Sequence, residues 1–105
     1  MNTTLARIEQ WYTAQCDGHW EHKFGVKIDT LDNPGWLVQI NLAGTNLEKR
    51  EFKPLTEGMD SPSSTRWHSI SVKNATFEAA GDPTKLEFML RAFLDWAEQQ
   101  AEKGK

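Results

Sequence analysis

Two alternating stretches on either side of one short turn constrain this chain more than anything else in it. In the first, Trp20, His22, Phe24, Val26 and Ile28 take one side while Glu21, Lys23, Gly25, Lys27 and Asp29 take the other. In the second, Trp36, Val38, Ile40 and Leu42 repeat the pattern after Asp32-Asn33-Pro34-Gly35. Successive side chains of a strand point to opposite faces, so this period predicts a hairpin with one apolar and one wet side. Pairing Ile28 with Ile40 also pairs Val26 with Leu42 and leaves a three-residue loop, Asn33-Pro34-Gly35, between Asp32 and Trp36. A left-handed glycine commonly closes such a loop.

A sheet with one apolar side needs a cover, and both ends of the chain supply one. From about Thr4 to Gln15, Leu5, Ile8, Tyr12 and Cys16 recur at helical spacing with Trp11 at the flank, and Gly18 is available to stop the helix in a left-handed cap. Near the other end, Leu86, Met89, Leu90, Phe93, Leu94 and Ala97 form a broad apolar helix face with Trp96 at its margin. Either Asp82, with Pro83 in the first turn, or Thr84, with Glu87 completing a capping box, opens that helix.

Between these ends, Leu47 to Leu55 reads as a weaker strand anchored by Phe52, and Thr56 to Thr65 as a polar loop. Residues Trp67 to Val72 and Thr76 to Ala79 read as a second hairpin, with Val72 opposite Phe77 and Ile70 opposite Ala79. Its two-residue turn, Asn74-Ala75, suits positive φ at Asn74 and suits it poorly at Ala75. The expectation is a two-layer α+β fold: N-terminal helix, about five mostly antiparallel strands, C-terminal helix, both helices on one face. At 105 residues the chain has room for one domain, residues 1–105.

Charge and composition narrow the function. The net charge is -3 and no basic face is visible, since Lys49, Arg50 and Lys53 are interleaved with Glu48 and Glu51, so no nucleic-acid partner is expected. Apolar runs fall far short of the roughly 20 residues of a membrane span, and nothing near Met1 resembles a signal peptide, which gives the cytoplasm as the expected compartment. Cys16 is the only cysteine, so no internal disulfide can form.

Candidate chemistry is sparse. Cys16, His19 and His22 sit three apart with Asp17 adjacent, but no fourth zinc ligand is offered locally, and a strand there would send the two histidines to opposite faces. There is no nucleophile elbow and no glycine-rich phosphate loop. Carboxylate pairs such as Glu21 with Asp32 are what chance gives among fifteen acidic residues. No catalytic, cofactor or metal site is assigned, and the chain is not expected to be an enzyme. Trp20, Trp36 and Trp67 lie where strands begin, closing a small core or showing a ring edge to a partner. Phe88 lies on the far side of the last helix from Leu90 and Phe93.

The string Trp11-Tyr12-Thr13-Ala14-Gln15-Cys16-Asp17-Gly18-His19-Trp20-Glu21-His22, with Gly25 and then Thr30-Leu31-Asp32-Asn33-Pro34-Gly35-Trp36, resembles the immunity protein 53 family of bacterial polymorphic toxin systems. Ala80-Gly81 and the ending Phe93-Leu94-Asp95-Trp96 are also similar to it, and the middle loop from Thr56 to Arg66 is the least matched stretch. The resemblance implies an immunity-protein-like domain that binds a cognate protein toxin and protects the cell that makes it, with no catalytic residues to carry over.

A neutralising contact of this kind joins aromatic anchors to polar and charged surroundings. The candidates are Asp17, Trp20, Glu21, Lys23, Lys27, Asp29, Asp32, Asn33, Trp36, Gln39 and Asn41. Asp17 to Trp20 and Asp32 to Trp36 fall at opposite ends of the first hairpin. The contact is therefore expected on the open sheet face, with the Asp32–Gly35 loop as the alternative wedge. As a free chain the protein is expected to be a monomer or weak homodimer. Two other readings are an adaptor or dimerisation module using Phe88, and a small metal- or thiol-dependent enzyme.

Overall fold

The computed structural model describes residues 3–59 and 65–103. Along the chain run helix α1 (Thr4–Gln15), the helical turn α2 (Trp20–Lys23), strands β1 (Val26–Leu31), β2 (Gly35–Asn41), β3 (Leu55–Glu57), β4 (His68–Lys73) and β5 (Thr76–Gly81), and helix α3 (Leu86–Lys103). The strands form one antiparallel sheet in the order β1-β2-β5-β4-β3. The two hairpins thus meet through their second strands, β2 and β5, at the centre.

Alternation explains which side is covered. Val38 and Ile40 of β2, Ile70 of β4 and Phe77 and Ala79 of β5 all point one way and are wholly buried. Against them pack Met89, Leu90, Phe93 and Leu94 of α3, with Ile8 of α1 in the same cluster. Both helices lie on this face, as the α+β reading requires. Full burial of a side chain such as Phe77 or Phe93 contributes roughly 2–3 kcal/mol, so this row is the main source of stability.

The second hairpin has the register read from sequence, Val72 opposite Phe77 and Ile70 opposite Ala79. Its turn places Asn74 at φ 52° and Ala75 at φ 56°, both left-handed, which matches the twist of the strands at the expense of strain at Ala75. The first hairpin differs from expectation by two residues. Ile28 faces Val38 and Val26 faces Ile40, and the loop is Asp32-Asn33-Pro34 between Leu31 and Gly35. A shift of two keeps every side chain on its face, which is why the apolar pattern could not detect it. Gly35 is not the left-handed loop residue. It lies in β2, where a Cβ would collide with the Gly81 carbonyl oxygen, so its role is close backbone approach.

Three further expectations are corrected. The first strand does not begin at Trp20: residues Trp20–Lys23 are a helical turn. Asp17 Oδ1 accepts the amides of His19 and Trp20 at 2.9 Å each, and Phe24 N–H donates to the Trp20 carbonyl, which closes a turn that alternation alone reads as extended. Next, Leu47 to Arg50 is coil. Thr45 Oγ1 donates to the Leu42 carbonyl at 2.7 Å and accepts the Leu47 amide, and the backbone bonds of residues 45–50 also close locally. With its hydrogen bonds spent in turns, the segment has none for a ladder. It still buries Leu47 and packs Phe52 on Phe77 and Trp96. Pairing begins only at Leu55. The expected loop Thr56–Thr65 therefore gives its first two residues to β3, and residues 60–64 of it lie outside those described.

The last correction concerns α1, which is rotated from its expected stripe. Leu5 is 65% exposed and Tyr12 and Cys16 also face water. Trp11 turns inward instead, edge-on to Phe93 with ring centres 4.9 Å apart. A tryptophan buries more area than a leucine, and Arg7 on the same side reaches Asp95 and Glu98 of α3 at 2.9 and 2.7 Å.

Candidate partner-binding surface

The side of the sheet away from the helices carries the opposite alternation set. One row across the strands reads Asp29, Leu37, Ala80, Ser69 and Thr56. The next reads Lys27, Gln39, Glu78 and Ser71, and a third holds Asn41, Thr76 and Lys73. No described helix packs on this side. At its centre the apolar pair Leu37 and Ala80 sits among polar side chains, Asp29, Gln39, Ser69 and Glu78. Gln39 donates its side-chain amide to Glu78 at 2.9 Å and fixes the middle of the second row. Lys27 lies next to Asp29 on the same face of β1, and Lys73 stands diagonally across from Glu78.

Of the residues singled out from sequence, Lys27, Asp29, Gln39 and Asn41 come together on this face. Asp32 and Asn33 are exposed at the tip of the β1–β2 hairpin, and Lys23 is exposed on α2. Asp17 and Glu21 are held by local bonds. The amides of Trp20 and His19 keep the Asp17 carboxyl below the usual range. Glu21 is likewise lowered, by its own amide first and, against the effect of burial, by the amides of Asp17 and Gly18, which it accepts at 3.0 and 2.8 Å.

The tryptophans divide toward the core. Trp20 is buried against Trp11 and Phe24, and its Nε1–H donates to the Ala43 carbonyl at 2.9 Å. Trp36 is half-buried against the core, and its Nε1–H donates to the Pro83 carbonyl at 3.0 Å. Trp67 is half-buried beside Asp82, which accepts its amide.

Sequence reading missed the half of the face built by Ser69, Ser71, Thr76, Glu78 and Ala80. The signal was present in the alternation of the second hairpin. What was lacking was the β2–β5 pairing that sets this half beside Gln39 and Leu37.

His19 and His22 belong to a helical turn and its entry, so strand alternation no longer separates them. Among the described residues no three His, Cys, Asp or Glu side chains gather as a metal site would need. The Cys16 thiol is exposed and donates to the Tyr12 carbonyl at 3.3 Å. His68 is buried with its ring 4.7 Å from that of Phe88, and its Nδ1 lies 3.8 Å from Glu57 Oε1. No described helix is long and apolar enough to cross a membrane.

The open face sets hydrogen-bonding, charged and apolar groups side by side, the mix that protein recognition uses. No curated protein and no solved structure shows a significant match to the chain. A family model described as immunity protein 53 matches residues 5–98, from the first turn of α1 through the sheet and into α3. With nearly its whole length matched, and with the helix–sheet–helix order intact across that span, the chain belongs to the immunity protein 53 family.

Proposed function

We propose that this protein protects the cell that makes it by binding a cognate toxin of a polymorphic toxin system in the cytoplasm, by contact alone and without catalysis. Family membership supports an immunity role. The observation that carries the choice of surface is the uncovered side of the sheet, where Lys27, Asp29, Gln39, Ser71 and Glu78 surround the apolar pair Leu37 and Ala80. A neutraliser must leave almost no toxin free, which calls for nanomolar affinity or better, about -12 kcal/mol. Leu37 and Ala80 supply apolar area for such a contact, and the surrounding charges steer encounter and fix orientation.

Co-expression with the neighbouring toxin tests this. The unaltered protein rescues growth and purifies with the toxin. The double variant Ser71→Arg/Glu78→Lys, placed at mid-sheet, loses both while its thermal midpoint stays within a few degrees. Full rescue by that variant rejects the open face as the contact.

A second reading rests on Phe88, which is 42% exposed and lies beside the exposed Leu55 along the α3–β3 groove. If the toxin docks there, Phe88→Glu abolishes rescue and the sheet-face variant does not.

A further inference from the structure

The two edges of the sheet are unequal. β3 ends one side after three residues, too short to recruit another strand, while β1 ends the other with six. On β1, Ile28 belongs to the helix-facing set, opposite the buried Val38, yet it is 42% exposed because neither helix reaches so far.

Hydrogen-bond parity shows which backbone groups of this edge are free. Asn41 N–H donates to the Gly25 carbonyl at 3.1 Å, so residues 25, 27, 29 and 31 are those that bond to β2. The N–H and C=O groups of Val26, Ile28 and Thr30 point outward. Thr30 agrees, since its N–H is taken by its neighbour's Asp29 Oδ1 at 2.9 Å and not by β2.

We propose that two copies of this chain associate through β1, as an antiparallel pair with a two-fold axis between the two Ile28 residues, joining their sheets into one. In this register Val26 bonds to Thr30 of the second copy, Ile28 to Ile28 and Thr30 to Val26, so every outward group is satisfied. The two exposed Ile28 side chains cover each other on the helix side. On the open side Lys27 lies directly across from Asp29 of the second copy, twice, at the spacing where cross-strand charge pairs interact. The adjacent two-fold registers centre on Lys27 or Asp29 and set like charges opposite each other. The charge pattern of β1 thus selects one register, with the Asp29 carboxylate exchanging Thr30 N–H for the second copy's lysine. Because the axis stands perpendicular to the sheet, both open faces emerge on the same side. A six-residue edge buries less than the roughly 1,200 Å² of a stable complex, so the dimer is a weak one, populated at high micromolar concentration.

This proposal is independent of toxin binding and is tested on the full chain alone, by sedimentation equilibrium from about 5 μM to 1 mM. The average mass rises from monomer toward dimer across that range. Lys27→Glu and Asp29→Lys each weaken association at least tenfold, and the double swap Lys27→Glu/Asp29→Lys restores it to within about threefold, as expected for a close charge pair. Circular dichroism confirms that all three variants stay folded. In hydrogen exchange, the amides of Val26, Ile28 and Thr30 gain protection as concentration rises. A monomer at every concentration overturns the proposal. So does a dimer indifferent to the single swaps, or a double swap as weak as either single.

Discussion

The amide of Trp67 donates to the buried Asp82 carboxylate at 2.8 Å, tying the residue before β4 to the turn that leads into α3. The other carboxylate oxygen accepts the Thr84 amide and hydroxyl at 2.7 and 2.6 Å, and the Lys85 ammonium lies 3.7 Å away. Asp82 is only 1% exposed, so four partners answer its desolvation. Asp82 closes the turn ahead of the last helix, where the Met89 amide reaches the Lys85 carbonyl, so neither Asp82 nor a capping box from Thr84 to Glu87 caps the helix that begins at Leu86. Glu87 is engaged by Arg91 and Thr4 instead.

This site makes stability depend on acid. Burial acts to raise the Asp82 pKa, but the Thr84 hydroxyl and amide, the Trp67 amide and the Lys85 charge outweigh it and bring the carboxyl from 3.8 to about 2. A carboxyl lowered by folding adds stability that is complete above its unfolded value and is lost as pH falls through the folded one. Urea unfolding therefore gives level stability down to about pH 5 and a decline between about pH 4 and pH 2. Asp82→Ala costs about 2–3 kcal/mol at neutral pH and flattens most of that decline.

The α1–α3 contact separates packing from charge. The partners of Arg7 are more than half exposed, and exposed ion pairs contribute roughly 0–1 kcal/mol. Arg7→Ala is expected to cost no more than about 1 kcal/mol, whereas Trp11→Ala, which empties the contact with Phe93 and Trp20, costs about 3 kcal/mol. Chemical denaturation of both variants measures the difference.

At the β4–β5 turn, Ala75 holds φ 56°, a conformation that costs a residue with a Cβ about 1 kcal/mol. Ala75→Gly releases that strain and stabilises the protein by about 0.5 kcal/mol after the loss of a methyl packed on the core and the greater freedom of the unfolded chain. A rise in the urea midpoint at unchanged slope is the expected readout.

The β1–β2 loop distinguishes the two contact surfaces open from sequence. Asp32 and Asn33 are exposed at its tip, so Asp32→Ala/Asn33→Ala changes stability by less than about 1 kcal/mol. With the toxin on the sheet face, growth rescue by this variant is undiminished. Lost rescue at unchanged stability moves the contact to the loop.

Local pattern determined a good deal of this protein. Period two in Val26–Ile28 and Trp36–Ile40, and helical spacing from Leu86 to Ala97, assign faces because burial is decided residue by residue along one element. The turn at Asn74-Ala75 was legible because two residues between matched strands admit few geometries. Tertiary structure decided the rest. A register slip of two leaves every face unchanged, so the apolar pattern could not choose between Ile28 opposite Ile40 and the observed Ile28 opposite Val38. Trp20, in a helical turn closed locally by Asp17, is buried with its indole N–H on the Ala43 carbonyl, a contact between distant segments that hydrophobic periodicity does not encode. The open face is the clearest case: half of it comes from β4 and β5, and the bonds that bring Glu78 beside Gln39 join strands nearly forty residues apart, where no pattern within either hairpin names its neighbour.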